Sequence, residues 1–396
     1  MRVLYSFPHK LGADRICYTA WQQVTGLVAA GVDVLTMPVA VARAVPAEVI
    51  PTLSWGRVRI PAKLLGRFRT FHLHDRIVAR RLEKLAHQVD LVHVWPSGAL
   101  QTLRVAKRLG IPTVMERPNA HTRYAYEIVK AECQRIGVQL PPGDDYTYRN
   151  DVLAQEEEEF GLSDYLLCAS EFSAKTFRES GFSAEKIIRH VYGFDESRFW
   201  PDPAPRREKF TVLFAGVAAV RKGLHIALDA WMHSPAMRDG VFMIAGDIAP
   251  DYKRHLQYIL SDRSVVCLGH RRDIPDLMRQ ADVLVLPSLE EGFGLVCAEA
   301  IGSGCVPLVS EACTDICMHM QNALVHPIGD TQTLARHITV LYQDRVLLEK
   351  LRDTCIRERN QFTWKVAGEK LKTSYQEAMQ RYGKPERQLP AAAVCQ

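Results

Sequence analysis

The feature that most constrains this 396-residue chain is an alternation of short apolar segments and helical patterns running almost end to end. RVLYSF, VDVLTM, DLVHVW, IPTVMER and DYLLCAS are nearly continuous in apolar residues. Strands of that kind cannot show one face to water; they belong in a parallel sheet covered by helices on both sides. Between them the pattern predicts a helix over Ile16–Ala30 after a loop carrying Gly12, a helix over Leu100–Leu109, and a long polar helical stretch ending near Gly161. A helix over SAKTFRESG and a last strand, IIRHVY, follow. The rhythm breaks at WPDPAPRREKF, residues 200 to 210, where proline and charge signal a linker. It then restarts with FTVLFAG, VFMIAGD, SVVCLG, DVLVLPS and VPLVS. The chain is also too long for one core. The expected architecture is α/β, with two Rossmann-like, doubly wound parallel-sheet domains facing a cleft. The first spans 1–203 and the second 204–364; one more helix covers 365–383, and 384–396 is a flexible tail. Such sheets bind ligands at the carboxyl ends of their strands, which makes the interdomain cleft the expected site.

Composition narrows the partners. A net charge of +5 does not call for nucleic acid, and no apolar stretch reaches membrane-spanning length. MRVLYSFPHK has too short an apolar run for a secretion signal, so the cytosol is expected. The ten cysteines are scattered, and most sit inside apolar segments, where they read as reduced core residues. Cys313, Cys317 and His319 lack a second ligand pair at zinc-site spacing, so no metal is expected. Between Arg57 and Lys84, nine cations face only Asp75 and Glu83, with Leu64, Phe68, Phe71 and Ile77 interleaved. That segment reads either as a basic amphipathic surface for an anionic membrane or acidic acceptor, or as an ordinary solvated helix face.

Motifs narrow the chemistry. There is no G-x-G-x-x-G after the first strand, no G-x-x-x-x-G-K-[ST], and no G-x-S-x-G. Dinucleotide oxidoreductases, P-loop enzymes and α/β hydrolases are therefore disfavoured. The segment LPSLEEGFGLVCAEAIGSGCVPLVS places Glu291 and Glu299 after a buried strand, with Gly292 and Gly294 between them. The spacing alone means little, because Glu171 with Glu179 and Glu369 with Glu377 repeat it in polar helices. In an apolar setting, however, each carboxylate needs donors to offset its burial, and a hydroxyl-rich ligand supplies them. The amides of Gly292, Phe293, Gly294 and Leu295 would open a helix at the top of the sheet, a ready site for phosphate or sugar oxygens. Glu290 reads as solvent-facing and incidental. A second strand–helix loop, GVAAVRKG from Gly216 to Gly223, offers Arg221 and Lys222 as adjacent cations for an anion such as a diphosphate. A third loop sets His121 beside Glu116, Arg117 and Asn119 at a strand end.

Together these residues resemble the retaining, GT-B-fold glycosyltransferases of family four, the "glycosyl transferases group 1" set. The resemblance covers nearly the whole chain: Gly12, ASEFS, YGFDESRF, LFAGVAAVRKG, ADVLVLPSLEEGFGLVCAEAIGSGCVPLVS and NALVHPIGD. It implies transfer of a sugar from a nucleoside-diphosphate sugar to an acceptor hydroxyl, with retention and with neither metal nor cofactor. By position, Glu299 would hold the ribose, Glu291 and the Gly292–Leu295 amides the sugar, and Arg221 and Lys222 the diphosphate. Gly216 opens that cationic loop. Gly12 would lie near diphosphate and acceptor, and His121 would face the sugar from the other domain. The implied acceptor is a saccharide or lipid-linked sugar in polysaccharide, lipopolysaccharide or glycolipid synthesis, reached in the cytoplasm or at the inner membrane face. Two departures stand out: PHKLGADR has a single glycine where the family is glycine-rich, and EACTDI replaces a common Gly-Gly. His270, Arg271 and Arg272 fall near the expected base pocket. An epimerase, a phosphorylase and a catalytically silent sugar-nucleotide binder share the architecture and stay open at this point.

Overall fold

The computed structural model describes residues 1–55, 58–59, 65–202 and 209–383. The first domain contains β1 (Arg2–Leu11), β2 (Asp33–Val41), β3 (Glu48–Val49) and the antiparallel pair β4 (Ser54–Trp55) and β5 (Val58–Arg59). It continues with β6 (Leu91–Val94), β7 (Thr113–Arg117), β8 (Tyr165–Cys168) and β9 (Ile187–Arg189). Seven of these form a parallel sheet in the order β3-β2-β1-β6-β7-β8-β9. The second domain has β10 (Thr211–Ala215), β11 (Val241–Ala245), β12 (Val265–Cys267), β13 (Val283–Leu286), β14 (Val306–Ser310) and β15 (Leu324–His326). Its six strands are parallel in the order β12-β11-β10-β13-β14-β15.

Both faces of the central strands are buried, as their continuous apolar runs require, while the edge strand β12 exposes Val266 and Cys267. On β1, Val3 and Tyr5 enter one core and Leu4 the core on the opposite face. On β10, Val212 and Phe214 are likewise separated from Leu213 and Ala215. Helix winding reverses between β1 and β6 in the first sheet and between β10 and β13 in the second. Side chains after those strands therefore fall at the switch points, where doubly wound sheets leave a crevice.

Helix Trp364–Tyr382 packs against helix Ile16–Ala29 of the first domain. Gly26 and Gly368 meet there so closely that a Cβ on Gly368 would lie 2.5 Å from the Gly26 backbone. The chain crosses at Phe194, whose N–H donates to Phe362 O at 2.9 Å and whose carbonyl accepts from Trp364 N at 3.2 Å.

Two elements differ from the sequence reading. The long polar stretch is two helices, Thr122–Ile136 and Asn150–Leu162, because Gly137 adopts a left-handed φ of 67° and Pro141-Pro142-Gly143 follows. A helix over Arg345–Glu358, capped by the Asp344 side chain on Leu347 N, was not read at all. The domain boundary at 203/204, the tail 384–396, and Arg57, Lys63 and Leu64 of the basic segment lie outside the described residues. The remainder of that segment is helix Arg67–Leu85, which buries Phe71, Val78 and Leu82 and exposes Arg69, Arg76, Arg80, Arg81 and Lys84. Among the described residues no helix is long and apolar enough to cross a membrane.

Candidate functional site

Strands β10 and β13 are neighbours, with Val212 opposite Val283, so the loops leaving them stand side by side. After β10 the chain turns at Gly216, φ 124°, and tightens into a 3-10 turn, Val220–Lys222. Gly223, φ 68°, follows against the other loop, where a Cβ would sit 2.1 Å from Pro287 O. Only glycine meets both demands. Leu289 N donates to Arg221 O at 2.8 Å and stitches the loops together. On the β13 side Gly294, φ 71°, launches helix Leu295–Gly302. The Gly292 and Phe293 amides thus lie in the turn before the helix rather than in its first turn. Phe293 is buried, its ring 5.3 Å from that of Tyr192.

This stitching brings four charges together. Lys222 Nζ is bonded to Glu291 Oε2, and Arg221 Nη1 lies 3.6 Å from the same oxygen. Burial alone would push the Glu291 carboxyl up; Lys222 and then Arg221 hold it below the ordinary carboxylate range. Arg221 Nη1 also stands 3.5 Å from Glu290 Oε2 and donates to Glu290 O at 3.2 Å.

The reading of Glu290 as solvent-facing is overturned: it is 0% exposed. The first domain covers it. Ala120 N donates to Glu290 Oε1 at 3.1 Å, and Gly292 abuts Pro118, where a Cβ would be 1.5 Å from the Pro118 carbonyl oxygen. Burial pushes the Glu290 carboxyl up, with Arg221 opposing.

The other predicted residues are more dispersed. His121 caps helix Thr122–Ile136, its Nδ1 accepting from Arg123 N at 3.2 Å. Its ring is 1% exposed and sits among Phe160, Phe177 and Phe182 at 5.0–5.9 Å. Burial, then Arg117 and Arg123, lower it to about 4, so the imidazole is neutral at pH 7. The ring's Nε2 is buried with no hydrogen-bond partner among the described residues, and the preceding Ala120 amide is bonded to Glu290. Gly12, φ 80°, ends β1 with its Cβ direction closed by Arg43 at 2.9 Å. Glu299 is half-buried on helix Leu295–Gly302, and burial and Asp195 push it up to about 7 against the pull of Arg198. Arg271 pairs with Asp273 at 2.8 Å, and His270 and Arg272 beside it are exposed. Sequence reading missed Tyr146, whose ring centroid lies 4.9 Å from the Arg221 guanidinium. Only its place just after the Pro-Pro-Gly turn could have drawn attention to it.

A cation pair, a glycine turn and two buried glutamates thus meet at one switch point. Residues 209–344 match the family model of Glycosyl transferases group 1, the set that the motifs resemble. Over 248 residues the chain is 29% identical to a D-inositol 3-phosphate glycosyltransferase of Xylanimonas cellulosilytica, covering 57% of this chain and 56% of that protein. The chain thus spans a little over half the length of that relative. A UDP-Gal:alpha-D-GlcNAc-diphosphoundecaprenol alpha-1,3-galactosyltransferase of Escherichia coli is 37% identical over 114 residues, 28% of this chain and 30% of that one. The fold is that of sucrose-phosphate synthase from Thermosynechococcus elongatus, with a TM-score of 0.69, 18% identity, and 95% and 98% of the two chains covered. The two parallel-sheet domains are therefore of the GT-B type.

Proposed function

We propose that the chain is a retaining glycosyltransferase that moves a sugar from a nucleoside-diphosphate sugar to an acceptor hydroxyl. The observation that carries this reading is the Arg221–Lys222 pair set against Glu291 beside the β10/β13 switch point. Donor cleavage builds negative charge on the leaving diphosphate and positive charge on the sugar ring. Arg221, Lys222 and the Gly292–Leu295 amides would stabilise the former without a metal, and cations fixed before reaction are the strongest lever available. Glu291 would accept sugar hydroxyls and Glu299 those of the ribose. His121, held neutral in its aromatic surround with its Nε2 unpartnered among the described residues, would face the donor sugar from the first domain. With Glu291 already engaged by Lys222, same-face attack by the acceptor, with the departing phosphate as base, is favoured over a covalent intermediate.

The relatives support a saccharide or lipid-linked acceptor, and the exposed arginines of helix Arg67–Leu85 support work at an anionic membrane surface. The test is transfer from labelled nucleotide sugars, with the anomeric configuration of the product read by NMR. Retention is expected, and Lys222→Ala and Glu291→Gln should each lower kcat/KM by 10²-fold or more, about 3 kcal/mol. An inverted product, or a glycosyl group trapped on Glu291, would sink the mechanism. Turnover of the donor to an epimer without any acceptor would sink the function.

A further inference from the structure

A carboxylate that is 0% exposed needs every acceptor site answered, and Glu290 is not fully answered. Oε1 takes one hydrogen bond, from Ala120 N at 3.1 Å. Oε2 has no hydrogen bond of good geometry; the nearest cation, Arg221 Nη1, is 3.5 Å away. The partners come from both domains. Ala120 belongs to the loop after β7, where Arg117 Nη2 holds its carbonyl at 3.3 Å. Tyr146, whose ring lies 4.9 Å from the Arg221 guanidinium, belongs to the loop after helix Thr122–Ile136. That loop is anchored on the second domain by Gln139 N donating to Asp251 Oδ2 at 2.7 Å. One side chain therefore ties the first domain to the cation that the second domain presents.

We propose that Glu290 is a positioning residue: it latches the first domain to the β13 turn through the Ala120 amide, and it is the internal anion that a diphosphate displaces from Arg221. A long 3.5 Å contact is one that a diphosphate oxygen, able to approach to hydrogen-bond distance, can outcompete. The exchange keeps the site's charge answered when no donor is bound, and it couples donor arrival to the interdomain contact. Glu291, 3.6 Å from the same Arg221 nitrogen, is bonded to Lys222, and among the described residues no hydrogen bond joins it to Ala120, so the two adjacent glutamates divide the work.

The inference rests on the proposed role of Arg221, but half of its test needs no substrate. Hydrogen exchange at Ala120 in the full chain should be at least tenfold faster in Glu290→Ala. In Glu290→Gln it should stay near the wild-type rate, because the amide oxygen still accepts. Inorganic pyrophosphate, titrated by calorimetry, should bind Glu290→Gln at least fivefold more tightly than wild type, since a buried negative charge beside Arg221 is gone. Unchanged exchange in Glu290→Ala overturns the latch. Pyrophosphate affinity in Glu290→Gln equal to or below wild type, or no binding by either protein, overturns the competition. If Glu290→Ala does not fold, Tyr146→Phe replaces it, with a smaller rise in Ala120 exchange expected and no rise counting against the latch. Absence of sugar transfer in an enzyme that passes both tests would remove the proposed function and leave the latch standing.

Discussion

Half-buried and without an ion-pair partner among the described residues, Glu299 titrates close to neutral pH, because burial pushes its carboxyl up to about 7, with Arg198 opposing and Asp195 adding to the rise. An unfolded glutamate titrates near 4.3, so between those values the folded protein holds a proton that the unfolded chain releases. Stability attributable to this residue therefore falls as pH rises from about 4 to 7 and stays reduced above that. Glu299→Gln should raise the stability of the ligand-free protein at pH 8 by up to about 2 kcal/mol and leave it nearly unchanged at pH 5. In the proposed role as ribose acceptor, the same substitution should weaken donor binding at pH 8, where the wild-type carboxylate would accept the hydroxyls. Thermal melts at the two pH values check the first claim. A variant destabilised at pH 8 would show that Glu299 has a partner in the protein rather than awaiting one in the ligand.

Elements were legible where a local pattern decides them. Gly292 and Gly294 between two glutamates, after a strand buried on both faces, pointed to a ligand turn. The structure places Glu291 against Lys222 across it. Glu290 could not be read the same way, since what buries it is Pro118–Ala120, some 170 positions away, and nothing in EEGFG distinguishes its two acids. His121 was read as facing the cleft because its loop is polar. Its Nδ1 caps Thr122–Ile136 and its ring packs on Phe160 and Phe177, while its Nε2 has no partner among the described residues. The split at Gly137 was legible in the Gly and Pro-Pro-Gly signals but was passed over. Helix Arg67–Leu85 carries the element-scale prediction, since its apolar side is already used by the core while Arg76, Arg80 and Arg81 are exposed. Neutralising those three should cost about 3 kcal/mol of binding to anionic vesicles at low salt, at roughly 1 kcal/mol each. Equal sedimentation of variant and wild type with phosphatidylserine vesicles would assign that face to solvent alone.

At the scale of the whole molecule, alternation of apolar strands and helices was enough for two parallel sheets and the cleft between them, because a strand buried on both faces has few other homes. What the alternation does not contain is how the domains meet, which here depends on single residues: Gly292 under Pro118, Gly368 against Gly26, and Glu290 under Ala120. The central claim is that the β10/β13 switch point holds a nucleoside-diphosphate sugar. Thermal melts of wild type, Lys222→Ala and Glu291→Gln against a panel of nucleoside-diphosphate sugars test it most directly, since a ligand at 100 times its Kd adds about 2.7 kcal/mol of stability. The account predicts that at least one donor raises the wild-type Tm and that both variants lose most of that rise. No shift with any donor, or variants that respond like wild type, would contradict it.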